Sequence, residues 1–196
     1  MARRYAVAPH FFSAPLIGAL RREALLRDRH GQFQQAGIGH HDGHQHDRRI
    51  RRDRTLWLEG ATLAQCRLLE RFEELRLELN RQLFLGLFDL EAHFAIYDPG
   101  AFYRRHLDTF NDSNARVLSV VLYLNEHWQP EQGGQLRLWA QPEAVAPAAE
   151  VAPRAGVLAC FFSDQIPHEV LEAHSRRISI AGWFRRRGAP LRSGSV

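Results

Sequence analysis

Hydrophobic positions change their period once along this chain, and the change divides it into a helical part and a strand-forming part. From Ser13 to about His30, SAPLIGALRREALLRDRH sets leucines at helical spacing behind a cap-like serine and Pro15, which predicts a short amphipathic helix. GQFQQAGIGHHDGHQHD has no hydrophobic period and is rich in glycine, histidine and aspartate, so a loop is expected. IRRDRTLWLEG alternates as a strand does and ends in a turn. ATLAQCRLLERFEELRLELNRQLF then repeats leucine and phenylalanine at helical intervals, predicting a long helix from about Ala61 to Leu83.

Beyond that helix almost every segment reads as strand. EAHFAIYD, FYRRHLDTF, RVLSVVLYLN, GQLRLW, AEVAP, GVLACFFS, HEVLEA and RRISIAGWFR are separated by the turn signals PG, NDSN, PEQGG and PRAG. Short strands joined by turn chemistry indicate a closed or sandwiched antiparallel sheet. The expected fold is therefore mainly β: a jelly-roll-type barrel over about 91–187, buttressed by helical segments over about 13–84. No internal repeat is visible, and 196 residues at 45% hydrophobic content suit one domain over 1–196.

Composition narrows the classes. All 26 basic residues are arginine, set against 22 acidic ones for a net charge of +4. Compositional bias accounts for the arginine, and the clusters HDRRIRRDR and RRISIAGWFRRRG read as solvated faces rather than a nucleic-acid footprint. No apolar run has the length of a signal peptide or a membrane span, so a soluble cytoplasmic protein is expected, with no membrane partner. Cys66 and Cys160 lie far apart in a helical and a strand pattern, and are expected to be buried free thiols rather than a disulfide.

The chemistry is carried by a few of the 11 histidines. His40, His41, His44 and His46 crowd one loop without cysteine or a fixed structural spacing, and are given no metal-ligating role. His93, His127 and His174 read as surface or packing residues. His106 and Asp108 stand two apart in FYRRHLDTF, so on a strand they share a face and can hold one ion between them. His168 follows the apolar strand CFF and a turn containing Pro167. Two imidazoles and one carboxylate are the ligand set of a non-haem Fe(II) oxygenase. Arg177, Ser179 and Ala181 share one face of RRISIAGWF, while Arg176 points the other way towards solvent. An arginine turned into a barrel needs an anion, and its planar fork fits a carboxylate, so a dicarboxylate co-substrate is expected with Tyr123 as a neutral second donor.

IRRDRTLWLEG, YDPGAFYRRHLD, RVLSVVLYLNEHW, GGQLRLW and PHEVLEAHSRRISIAGWF, in that order from about Ile50 to Arg185, resemble the Fe(II)/2-oxoglutarate-dependent prolyl 4-hydroxylases. The branch is that of the hypoxia-inducible-factor prolyl hydroxylases and their bacterial relatives. The resemblance implies a double-stranded β-helix, Fe(II) on His106, Asp108 and His168, and 2-oxoglutarate gripped by Arg177 with Tyr123 and Tyr97. It sets Arg116 and Trp183 beside the substrate pocket, and Arg51, Asp53 and Trp57 at the end of a segment that in relatives closes over a peptide. O2 is the co-substrate and ascorbate a supporting reductant. The implied reaction hydroxylates a prolyl residue of a protein, with release of succinate and CO2 and no acid–base residue, and elongation factor Tu is a client the resemblance suggests. Relatives commonly carry a threonine where this chain has Ala181, which removes a hydroxyl from the co-substrate site. Nucleic-acid demethylases usually carry a second co-substrate arginine where Trp183 stands, so no nucleic-acid partner is expected. Two readings remain beside the favoured one: oxidation of a free amino acid or other small molecule, and a non-catalytic metal-binding sensor. The client, oxygen sensing and the oligomeric state carry no signature in the sequence.

Overall fold

The computed structural model describes residues 4–37, 49–108 and 115–187. Among them α1 (Ala14–Arg29) and α2 (Leu63–Leu83) stand where the apolar period predicts them. Ser13 occupies the cap position of α1 but its side chain makes no capping hydrogen bond. The start of α2 is closed more completely. Thr62 Oγ1 accepts the Gln65 N–H at 3.2 Å, and the Gln65 side-chain oxygen accepts the backbone N–H groups of Glu59, Gly60 and Ala61 in the turn that leads into the helix. Thr62 and Gln65 each also donate to the Glu23 carboxylate at 2.6 Å, so the same cap ties α2 to α1.

The strands are β1 (Tyr5–Ala8), β2 (Gln34–Gln35), β3 (Arg54–Trp57), β4 (Leu87–Tyr97), β5 (Tyr103–His106), β6 (Arg116–Tyr123), β7 (Leu136–Leu138), β8 (Ala149–Val151), β9 (Leu158–Phe162), β10 (His168–Val170) and β11 (Arg177–Arg186). They form a seven-stranded sheet in the order β1-β9-β6-β11-β4-β3-β2 and a four-stranded sheet in the order β5-β10-β7-β8, with every paired neighbour antiparallel. This is the jelly-roll arrangement the strand pattern predicts. β1 and β2 are additions to it: YAVA and QQ are too short to show a period, and pairing with β9 and β3 makes them strands. β4 starts ahead of the expected EAHFAIYD, because Leu87 continues the ladder against Arg186.

Alternation sorts the large sheet into two faces. Phe94 and Ile96 of β4, Leu118, Val120 and Leu122 of β6, and Ile178 and Ile180 of β11 point to one face, where Leu20 and Ala24 of α1 and Leu68 and Phe72 of α2 cover them. Ala95, Tyr97 and Tyr123 point to the other, towards Leu136, Leu138 and Val170 of the small sheet. The helices thus cover one face of the large sheet, and the space between the sheets holds a second apolar cluster together with the polar side chains of the site. Arg176 is half exposed and pairs with Asp98 and Asp28, on the outer side as expected. Cys66 and Cys160 are free but only partly buried, a correction to the expectation of buried thiols; burial nonetheless pushes the Cys160 thiol up to about 12. The histidines at 40–46 lie outside the described residues. No described helix is long and apolar enough to cross a membrane.

Candidate active site

β5 and β10 are adjacent strands of the small sheet, and their register sets His106 directly opposite His168, with ring centroids 4.2 Å apart. Asp108 does not share a strand face with His106, as the spacing alone suggested. β5 ends at His106 and the chain bends, so that the Asp108 N–H donates to Ser163 O at 3.1 Å and its carboxylate turns back between the sheets. There Asp108 Oδ1 lies 3.4 Å from His106 Nε2, and Oδ2 lies 3.4 Å from His168 Nε2. One ligand atom from each of the three residues falls within 4.8 Å of the others.

Backbone contacts fix which nitrogens are free. His106 Nδ1 faces Arg104 O at 2.7 Å and His168 Nδ1 faces Ile166 O at 3.1 Å. A carbonyl only accepts, so each Nδ1 carries the proton and each Nε2 presents its lone pair to the centre. His106 Nε2 is buried without a hydrogen-bond partner, which is the mark of an atom shaped for a ligand. Ser119 Oγ donates to Asp108 Oδ2 at 2.6 Å, so its contact with Ser163 Oγ at 2.9 Å must run from Ser163. Burial works against the Asp108 charge, but the two imidazoles and Ser119 outweigh it and hold the carboxyl below its usual range. Burial pulls His168 down to about 4, so its ring is ready as a neutral donor to a cation.

Arg177 begins β11 and is 1% exposed. Its Nε donates to Gly134 O at 2.9 Å and one terminal nitrogen to Ser179 Oγ at 3.1 Å, and its guanidinium lies 4.7 Å from the Tyr97 ring centre and 5.1 Å from that of Tyr123. Among the described residues no carboxylate pairs with it. The Tyr123 hydroxyl is also buried without a partner, pushed up to about 12 by burial with Arg177 pulling the other way. A buried cation beside an unpaired hydroxyl is an anion site by its own electrostatics.

His106, Asp108, His168, Ser119, Tyr97 and Arg177 line a small chamber of about 50 Å³, and an open cleft of about 360 Å³ adjoins it. Arg51, Trp57, Arg116 and Trp183 line the cleft, while Asp53 faces the chamber and is fully buried. Arg51 binds Asp53 through Nε at 2.5 Å and a second nitrogen at 2.8 Å, and lies over the Tyr103 ring, which in turn stacks on His106 at 3.6 Å. Arg116, held by Glu91 at 2.8 Å, covers the Trp183 ring at 3.7 Å. The structure thus brings Arg51, Trp57, Arg116 and Trp183 to the cleft and Asp53 to the chamber beneath it.

His93 is a packing residue, one of the two expectations for it, with its ring against Trp57 and Trp183. It also lines both the chamber and the cleft, because β3 extends the large sheet and sets Trp57 opposite it. Sequence reasoning missed Ser119, Ser163 and Gly134, whose signals are ordinary residues in strand and turn patterns. His127 and His174 are exposed, as expected.

Two imidazoles and a carboxylate grouped at one side of an ion leave its other side for a co-substrate and dioxygen, and an anion grip stands beside them. That is the arrangement of a non-haem Fe(II) oxygenase, and the free Nε2 and hydroxyl atoms fit the metal and a dicarboxylate. The family model described as the 2OG-Fe(II) oxygenase superfamily matches residues 92–185. The chain is similar to a prolyl-4-hydroxylase from Pseudomonas putida, with 45% identity, 94% of each chain covered and a TM-score of 0.84. It is also similar to a prolyl hydroxylase from Trichoplax adhaerens in complex with a hypoxia inducible factor oxygen degradation domain peptide fragment. There the identity is 25% and the TM-score 0.81, with 93% of this chain and 83% of that one covered. The chain belongs to the 2OG-Fe(II) oxygenase superfamily, in its prolyl 4-hydroxylase branch. It is a 2-oxoglutarate-dependent dioxygenase that requires Fe(II), 2-oxoglutarate and O2.

Proposed function

We propose that this enzyme hydroxylates a prolyl residue within a protein or peptide. The observation that carries the reading is the open cleft beside the His106–Asp108–His168 cluster, walled by Trp57, Trp183, Arg51 and Arg116: it admits an extended chain, and its aromatic faces suit an apolar ring. The peptide complex of the Trichoplax enzyme supports a polymeric substrate. Elongation factor Tu is the client to test first, and the cytoplasm of a bacterium the compartment that goes with it.

Bound Fe(II) supplies the redox chemistry, by which one oxygen atom of O2 enters a substrate C–H bond and the other enters 2-oxoglutarate as it becomes succinate and CO2. His106, Asp108 and His168 hold the ion through Nε2, a carboxylate oxygen and Nε2. Arg177 takes the far carboxylate of 2-oxoglutarate in a charged hydrogen-bonded pair and Tyr123 donates its hydroxyl to the same group, while Tyr97 backs the guanidinium through its ring. Ala181 leaves one neutral hydrogen bond out of this site, a small loss beside the charged pair. Arg51 and Asp53 keep Tyr103 against His106, and Trp57, Arg116 and Trp183 contact the substrate. None of these residues has to move a proton. Ascorbate serves as a reductant that rescues iron oxidised in idle cycles. The whole chain acts as one catalytic unit.

Two experiments test the reading. Anaerobic titration of Fe(II) and 2-oxoglutarate into the metal-free protein should produce a weak visible metal-to-ligand charge-transfer band. His106→Ala should abolish it, and Arg177→Ala should weaken 2-oxoglutarate binding about a hundredfold, the scale expected for losing a charged pair. Incubation of a bacterial extract with the enzyme should add one oxygen to a prolyl peptide. If every prolyl peptide keeps its mass while succinate still forms with an added small molecule, the protein substrate is refuted.

A further inference from the structure

His93 sits where the chamber opens into the cleft, 3% exposed, with its ring 5.1 Å from that of Trp57 and 5.5 Å from that of Trp183. Its Nδ1 lies 3.0 Å from Phe94 O. The carbonyl can only accept, so Nδ1 carries the proton and Nε2 is left as a pure acceptor. Nε2 has no partner among the described residues, yet it is not one of the buried atoms sealed from every partner, so it reaches the cavity. Across the ladder from His93 stands Ala181, whose methyl leaves the space beside the ring open.

We propose that His93 is a specificity residue: a fixed acceptor that takes a hydrogen bond from a backbone N–H flanking the target proline. The proposal rests on the prolyl reading above. Proline has no N–H of its own, so the donor must come from a neighbour in the chain. Burial brings the ring down to about 4, and the charges of Arg51 and Arg116 also disfavour a proton on it while Asp53 opposes them. The ring therefore stays an acceptor at neutral pH. A substrate lacking the donor leaves a desolvated nitrogen unpaired, which is how such sites reject analogues.

The test has two arms. In the zinc-loaded protein with 2-oxoglutarate, the imidazole ¹⁵N shifts of His93 should report the neutral Nδ1–H form from about pH 5 to 8. A protonated ring or the Nε2–H form in that range overturns the proposal, whatever the substrate proves to be. The second arm methylates, one at a time, the backbone amides flanking proline in a peptide that the enzyme hydroxylates. One position should lower kcat/KM about tenfold in the wild type and in His93→Gln, which keeps an acceptor at that reach, and should carry no penalty in His93→Leu. The ratio within each variant cancels any general loss from imperfect folding. An equal penalty in His93→Leu overturns the proposal with the prolyl reading intact. Failure to hydroxylate any prolyl peptide instead refutes that reading, and with it the flanking donor.

Discussion

At His93, His106 and His168 the same local device sets the proton: each Nδ1 faces a backbone carbonyl, and each Nε2 is turned inward. What separates a ligand from a non-ligand is the neighbour at Nε2, a carboxylate for two of the rings and open cavity for the third. His93 also has a consequence for stability. Its pKa falls from 6.5 to about 4 on folding because burial penalises the imidazolium, so between those values the unfolded chain binds more protons than the folded one. The sign is that stability falls as pH drops from 6.5 towards 4, by roughly 1.4 kcal/mol per pH unit for this group in mid-window. Denaturant unfolding of the metal-free protein at pH 5 and pH 6.5 should show the drop, and His93→Leu should reduce it while leaving the part due to other groups. At this scale the sequence was legible for groups with a demanding chemistry. His106, Asp108, His168 and Arg177 are residues a core cannot hold without a reason. His93, Ser119 and Ser163 gave no such signal, since an isolated histidine or serine in a strand is commonplace.

Among the elements, β11 positions more of the site than any other single strand. Arg177, Ser179, Ala181 and Trp183 all face inward by simple alternation, which the sequence showed for the first three. The loop before β7 supplies what alternation could not. Gly134 adopts φ +66, its carbonyl accepts from Arg177 Nε, and a Cβ added there would stand 2.9 Å from Arg177 Cδ. Both the left-handed backbone and the close approach call for glycine. Gly134→Ala should therefore displace the guanidinium and raise the KM for 2-oxoglutarate about tenfold, with a smaller effect on the KM for a peptide. Initial-rate kinetics with each substrate varied in turn will decide, and equal effects on both would count against a local displacement. Asp108 shows the opposite limit of pattern reading. The two-residue spacing implied a shared strand face, whereas the strand ends and a hydrogen bond to Ser163 in the next sheet segment aims the carboxylate. A period is a property of continuing strands, and it says nothing once the ladder stops.

Over the whole molecule, the site ties the two sheets together at one point. His106 and His168 come from the small sheet, Arg177 and Ser119 from the large one, and Asp108 is bonded to Ser119 across the gap. Ligands that fill this gap bind only the folded chain, so they stabilise it by mass action. Manganese(II), as a redox-inert stand-in for iron, together with 2-oxoglutarate at about a hundred times their Kd should add about 2.7 kcal/mol for each ligand bound. Thermal melts should rise accordingly and return to the starting value with a chelator, and Asp108→Ala should show no rise. The sequence by itself determined the helices, most of the strands, the ligand types and the buried arginine, because periods of apolar residues and costly buried charges are local facts. Only the tertiary structure decided which strands pair, how Asp108 turns back to the histidines, and that β3 brings Trp57 against His93 to make a cleft. Those depend on residues far apart in the chain meeting across sheets, and no local pattern records the distance between them.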